Sequence, residues 1–208
     1  GYKYMLIVTS DEAKARKMCD DASFFNKEAI YYPAKDAIFY SADVHGNQIT
    51  GERLRCISRI INHSSTGEGV LTVVTTMDGI ADRLIPVERF KEAVITLDYS
   101  SEIEPEKLAK KLVAMGFVRT GMVEDKGQFA IRGGIIDIFS YTDEAPVRIE
   151  LWDTEVDSIR MFDVESQRSI ERLQSYSIFP ATEYIFTEDE LKNGLYNLSL
   201  IHISEPRD

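Results

Sequence analysis

The sequence predicts a mixed α/β protein, with a largely parallel sheet in the first 90 residues and a small α+β region after it. In the first part, short apolar runs alternate with segments that carry apolar residues at helical spacing. After about residue 125, segments of alternating apolar and polar residues follow one another with short connections. The 208 residues are 44% hydrophobic, which is enough for one large core or two modest ones.

The first region is predicted to contain three strands that alternate with helices. The strands are Tyr4–Thr9, Ala29–Tyr32 and Val70–Thr76, and the last is a β-branched run typical of a buried parallel strand. Ser10 is expected to cap the first helix, whose opening turn is acidic. Further helices are predicted over 51–62 and 77–84, because apolar residues recur there with a helical period. This alternation indicates an α/β layer.

The pattern changes near residues 86–90, which predicts a boundary there and three parts: 1–90, 91–180 and a tail, 181–208, that returns to the first domain. The second part is predicted to open with a strand at Val94–Leu97 and a helix that begins at Pro105 and ends at Gly116. Three antiparallel strands should follow: Gln128–Phe139, Val147–Trp152 and Glu155–Phe162.

Charge and composition exclude several classes of protein. The 35 acidic and 24 basic residues leave a formal net charge of −11, which argues against autonomous binding of the phosphate backbone of DNA. Two cysteines cannot form a disulfide framework or a thiolate metal cluster. No apolar run reaches the roughly 18 residues that span a membrane, and no secretory signal pattern begins the chain. We therefore expect a cytoplasmic protein without membrane contact.

Residue patterns for catalysis are weak. The sequence contains no Gly-Lys dipeptide, which a phosphate-binding nucleotide loop requires, and the glycines at 133 and 134 lie inside a strand pattern, where a bulge or close packing is expected. His45, His63 and His202 are isolated from one another and from cysteine. The clustered carboxylates are explained by a helix start and a turn. We expect no cofactor, no metal and no catalytic residues, although a hydrolase that uses the acidic residues stays an alternative.

One predicted strand stands out because its two faces differ sharply. In Val147–Trp152 the apolar side chains alternate with Arg148, Glu150 and Trp152, so the only tryptophan lies on the polar face. The expected register brings Arg132 of the preceding strand within about one residue of Trp152. Arginine and tryptophan dominate many protein interfaces, so a docking surface is one interpretation. The other is an exposed Arg148–Glu150 pair, with Trp152 packed under a loop or a neighbouring helix.

These segments also carry a family resemblance. The stretches 127–139, 146–152, 155–163 and 166–169 resemble a signature shared by the DNA-repair protein UvrB and the transcription-repair coupling factors (Mfd). Residues 73–76, 83–86 and 88–90 resemble the coupling factors, which extends the similarity over about nine-tenths of the chain. Residues 199–208 match nothing in this pattern.

The resemblance favours the coupling factors over UvrB. UvrB carries an aromatic-rich, DNA-gripping hairpin and an intact nucleotide loop, whereas here residues 29–36 lead soon into the predicted helix with Arg53 and Arg55. For this family the resemblance implies a P-loop-NTPase-like domain lacking its nucleotide loop, followed by a UvrA-binding domain. It makes UvrA the expected partner, through Arg132, Arg148, Glu150 and Trp152. RNA polymerase and DNA would bind elsewhere in the longer protein, and a fragment of a UvrB-type ATP-dependent helicase is the alternative.

Overall fold

The computed structural model describes residues 2–35, 43–66, 69–82, 84–185 and 190, without the side chains of 43–47 and 65–66. The predictions that concern residue 36, His202, the side chain of His45, Arg83 and most of the tail therefore lie outside the described residues. Within the described part no helix is both long and apolar enough to cross a membrane.

The first region is a three-stranded parallel sheet, as the alternation of strands and helices predicts. Its strands are β1 (Tyr4–Thr9), β2 (Ala29–Tyr32) and β3 (Leu71–Thr76), in the order β1-β3-β2. Both pairs run parallel, with Leu6 and Ile30 opposite Val73. The β-branched strand β3 lies between the other two and is buried along most of its length, as expected for a central parallel strand. The edge strand β1 leaves Met5 and Leu6 exposed.

Four helices accompany this sheet, and three differ in detail from the prediction. Helix α1 (Glu12–Phe25) is capped by Asp11 rather than Ser10, because the Asp11 carboxylate accepts a hydrogen bond from the backbone N–H of Lys14 at 2.9 Å. Helix α2 (Asp43–Thr66) is longer than predicted at both ends, where polar residues hide the period. Helix α3 (Met77–Ala81) ends early, at an extended Asp82, and α4 (Val87–Glu92) was not predicted.

The second region is built on antiparallel strands around one helix, α5 (Pro105–Ala114). Its first strand, β4 (Ile95–Asp98), pairs only with the last, β11 (Ser175–Ile178). The strands that lie between β4 and β11 in the sequence form a six-stranded sheet in the order β10-β9-β8-β7-β6-β5. Its members are β5 (Val118–Arg119), β6 (Gln128–Arg132), β7 (Ile135–Phe139), β8 (Val147–Trp152), β9 (Glu155–Phe162) and β10 (Ser169–Arg172), and all neighbours are antiparallel except β5 and β6.

The single strand predicted over Gln128–Phe139 is wrong: it is a hairpin of β6 and β7 joined at Gly133 and Gly134. Gly133 has φ +60°, the left-handed conformation that glycine adopts without a steric cost. A Cβ on Gly134 would lie 2.8 Å from the carbonyl oxygen of Leu151, so this backbone packs closely against β8. The core-facing residues change from Phe129 and Ile131 before the turn to Ile136 and Ile138 after it, so the alternation shifts by one residue at the glycine pair.

The main core lies between α5 and one face of the six-stranded sheet. Leu112 of α5, Ile136 of β7 and Ile149 of β8 are all fully buried in it. Burial of one such aliphatic side chain stabilises a fold by roughly 1.5–3 kcal/mol. Gly116 follows the helix with φ +90°, which agrees with its predicted role at the helix end.

A buried ion-pair cluster joins the end of the second region to the first. The Arg53 side chain is 0% exposed and donates to Glu183 from Nε at 2.6 Å and from Nη2 at 3.0 Å. Its Nη1 donates to Asp82 at 2.9 Å and to the carbonyl of Pro33 at 2.6 Å. We call Arg53, Glu183, Asp82 and Lys35 the junction cluster, since Lys35 also pairs with Glu183 at 3.1 Å.

Candidate protein-binding surface

The face of the six-stranded sheet that points away from α5, here called the outer face, carries the predicted site residues. Val147 and Ile149 are buried against α5, so Arg148, Glu150 and Trp152 lie on the outer face, as the alternation predicts. Cross-strand pairing places Arg148 between Asp137 of β7 and Arg160 of β9. The sequence therefore identifies which side chains of β8 can meet a partner.

Arg132 is on the outer face but not beside Trp152, and this part of the prediction is wrong. Because the chain turns at Gly133 and Gly134, Arg132 opposes Ile135, and Ile135 in turn opposes Glu150. Arg132 thus lies on β6, which is separated from β8 by β7, and not on the strand next to β8. Trp152, at the far end of β8, pairs with Glu155.

Asp137, which the sequence analysis missed, connects the two arginines. Its side chain is only 1% exposed and accepts from Arg132 Nη2 at 2.6 Å and from Arg148 Nε and Nη2 at 2.6 and 2.9 Å. A buried carboxylate needs such partners, because its desolvation is otherwise costly. The predicted connection at 141–144 already implies a register with Asp137 opposite Arg148, and this register is the signal that could have identified it.

Arg148 is held more firmly than an exposed strand residue would be. Its side chain is 15% exposed, donates from Nη2 to Gln167 Oε1 at 2.8 Å, and lies 4.3 Å above the centre of the Phe162 ring. The hydrogen bonds to Asp137 raise the pKa of Arg148, so this guanidinium keeps its charge. Most of its donors are already satisfied within the chain.

Glu150 pairs with Arg160, not with Arg148 as in the alternative interpretation of the sequence. It also accepts from Ser158 Oγ at 2.8 Å. Burial alone would raise the pKa of Glu150, but the hydrogen bonds from Ser158 and Arg160 outweigh it, and the pKa is lowered. Glu150 is therefore ionised at neutral pH and keeps Arg160 in place.

Trp152 is the most accessible of the predicted residues, with 79% of its surface exposed, so it is not packed under a loop. The Arg132 side chain is 45% exposed and bonds to Asp137 through one terminal nitrogen, Nη2. The geometry thus offers an exposed aromatic ring and a half-exposed guanidinium, on a sheet that buried and ion-paired residues hold rigid. Such a surface can bind a protein that presents carboxylates and an apolar pocket.

The described residues contain no group of histidine, cysteine and carboxylate side chains that could hold a metal ion. His63 is buried, with Nε2 3.2 Å from the carbonyl oxygen of Lys3 and its ring edge-on to Tyr4. The glycines nearest to a phosphate-binding pattern form the β6–β7 turn and lie far from any helix start along the chain.

Comparisons with known proteins find one domain match and several longer relatives. Residues 95–184 match the UvrB interaction domain. Over 190 residues the chain is 40% identical to a transcription-repair-coupling factor of Bacillus subtilis, a match that covers 90% of the chain and 16% of that protein. The corresponding proteins of Staphylococcus haemolyticus and Staphylococcus aureus (strain Mu50) are 36% identical over 92% and 91% of the chain, and again 16% of their own length is covered. The chain thus spans about one sixth of these relatives.

Proposed function

The chain is a relative of the transcription-repair-coupling factors and carries a UvrB interaction domain at residues 95–184, and on this premise we propose that it is a docking module that recruits UvrA. Recruitment would bring UvrA to a stalled transcription complex, so that nucleotide excision repair begins there. The contact surface is the outer face around Arg132, Arg148, Glu150 and Trp152. RNA polymerase and DNA would contact other parts of the longer protein, in the cytoplasm.

The observation that carries this proposal is that an exposed Trp152 and a pre-positioned Arg132 lie on the same face of one sheet. A tryptophan ring brings a large contact area at a low cost in conformational entropy, and a guanidinium binds carboxylates in a fixed geometry. Asp137 holds Arg132 and Arg148 before any partner arrives, which reduces the entropy lost on binding. Trp152 and Arg132 provide the direct contacts, while Arg148 and Glu150 position their surroundings.

We propose that this chain is not an enzyme. A degenerate P-loop-NTPase-like first domain would explain why a parallel sheet occurs in a sequence without a Gly-Lys dipeptide. The net charge of −11 disfavours phosphate-rich ligands in general. Calorimetry should detect no saturable ATP binding at micromolar concentrations. Binding in that range would instead support the alternative, a fragment of a UvrB-type ATP-dependent helicase.

Titration of purified UvrA against single variants tests the docking surface. Trp152→Ala and Arg132→Ala should each weaken binding by about 2 kcal/mol, roughly thirtyfold, because they remove central contacts. Arg119→Ala is a matched control, since the Arg119 side chain on β5 is also 45% exposed and ion-paired, with Glu106. Phe24→Ala, at a ring 86% exposed in the first region, controls for loss of an exposed aromatic residue.

Thermal melts of the same variants separate binding from folding. Arg148→Ala leaves the buried Asp137 carboxylate with Arg132 alone and should destabilise the chain by about 3 kcal/mol, far more than an outward-facing strand residue usually would. Trp152→Ala and Arg132→Ala should melt near the wild type. Unchanged UvrA affinity in both of these variants would show that the outer face is ordinary sheet exterior.

A further inference from the structure

A cleft of about 1330 Å³ lies between the two regions, and none of Arg132, Arg148, Glu150 and Trp152 lines it. One wall is α2, with Gln48, Thr50 and Arg55, and the other is formed by the end of α5 and by residues 125–128. Most of its surface comes from apolar groups such as Val113, Val118 and Phe139. Ligand sites are commonly found between domains, in mostly apolar hollows with a few charged groups.

The shape of this cleft is fixed by Tyr141, whose ring lies between two glycines of different regions. A Cβ on Gly51 of α2 would be 3.0 Å from the Tyr141 ring, and a Cβ on Gly127 would be 2.9 Å from it. Gly127 also has φ +81°, so a larger residue would be strained there. The two regions therefore meet closely at Tyr141, which lines the cleft and is partly buried in the main core.

Two cations line the cleft, and the described part of the chain gives neither an ion pair within salt-bridge distance. Lys126 Nζ donates to the carbonyl oxygen of Asp143, and Arg55 Nε donates to the carbonyl of Gly51 at 3.4 Å. Burial lowers the pKa of Lys126, and the nearby charge of Arg55 lowers it further, against the opposing effect of Asp143 and Glu144. Among the described residues that line the cleft, Asp125 is the single carboxylate, so this described lining is net positive in a chain of net charge −11.

We propose that this cleft binds an extended acidic segment of a partner protein, with Arg55 and Lys126 contacting its carboxylates. The volume of the cleft and its apolar walls suit a peptide with an apolar side chain between acidic ones, rather than a lone anion. Charge complementarity supports the same occupant, because each cation gains a carboxylate partner on binding. This site is separate from the docking surface on the outer face.

A synthetic pentapeptide, Glu-Glu-Phe-Glu-Glu with blocked ends, probes the site on the whole chain by NMR titration. The amides of Gly116, Gly127 and Gln128 should shift in a saturable way. The same peptide with glutamine in place of glutamate should bind at least tenfold more weakly. Arg55→Ala and Lys126→Gln should each weaken binding about tenfold, because each removes one of the two cations, and glutamine keeps a polar side chain at position 126.

Lys110→Ala, on the exposed side of α5, is the matched control and should bind like the wild type. Equal binding of the glutamate and glutamine peptides would overturn the proposal, as would unchanged affinity in both cleft variants. The proposal would also be overturned if inorganic phosphate caused the same chemical-shift changes at similar concentrations, because the cleft would then be a general anion site. The Trp152→Ala variant should bind the glutamate peptide like the wild type, whether or not it binds UvrA, so the two proposals fail independently.

Discussion

Replacing Arg53 by alanine should destabilise this protein more than most single changes outside the aliphatic core. Arg53 is fully buried, yet its guanidinium makes four hydrogen bonds: two to Glu183, one to Asp82 and one to the Pro33 carbonyl. It also lies 4.3 Å above the Tyr32 ring. Burial would lower the pKa of Arg53, but the hydrogen bond to Glu183 and the surrounding negative charges raise it, so the charge persists.

The magnitude follows from what the substitution leaves behind. Without Arg53, the 6% exposed Glu183 keeps only Lys35 as a charged partner, and Asp82 loses its ion pair. Breaking a buried ion pair by removing one partner costs about 3–5 kcal/mol. Arg59, on the same helix α2, pairs with Glu28 where both side chains are more than 40% exposed, and such surface pairs contribute about 0–1 kcal/mol. Arg59→Ala is therefore a matched control.

Urea denaturation followed by circular dichroism measures both variants. Tryptophan fluorescence is a poor monitor, because Trp152 is the only tryptophan and is already exposed. Glu183→Gln keeps the shape of the side chain and should cost about 1–3 kcal/mol, so it yields a measurement even if Arg53→Ala fails to fold. If Arg53→Ala cost less than 1 kcal/mol, like Arg59→Ala, the junction cluster would not hold the two regions together.

Three further predictions concern the core, the hairpin and the thiols. Ile149→Ala should cost about 2–5 kcal/mol in denaturation because Ile149 is fully buried, and a cost below 1 kcal/mol would contradict its place in the main core. Gly134→Ala should lower stability by about 1–3 kcal/mol, because its Cβ meets the Leu151 carbonyl. Gly133→Asn should melt near the wild type, because position 133 has open space around it and a φ of +60° that asparagine tolerates. Equal melting temperatures of the two variants would disprove the close contact at Gly134. Cys56, buried and with its pKa raised to about 12 by burial, should resist iodoacetamide at pH 8 until the chain unfolds, and rapid labelling in the native state would refute this.

The sequence by itself determined the elements whose side chains repeat with a clear period. The strands of the parallel sheet were predicted from short apolar and β-branched runs. The outward position of Arg148, Glu150 and Trp152 was predicted because a side chain's face in a strand depends on its position in the alternation. The start of α5 at Pro105 and its end before Gly116 follow from the restricted backbone of these two residues. Such information is local, so it can be read from neighbouring residues.

Tertiary structure alone decided which distant residues meet. By contrast, the shift of Arg132 by one strand had a local signal that the prediction of one long strand overlooked, because Gly133-Gly134 separates core-facing residues 129 and 131 from core-facing residues 136 and 138. Arg53 and Glu183 are 130 residues apart, and neither has a sequence neighbour that reveals the other. Asp137 resembles any polar strand residue until the register places it opposite Arg148. Burial and contacts between distant segments arise from packing between elements, and this is why the junction cluster and the bonds of Asp137 to two arginines emerge only in the folded chain.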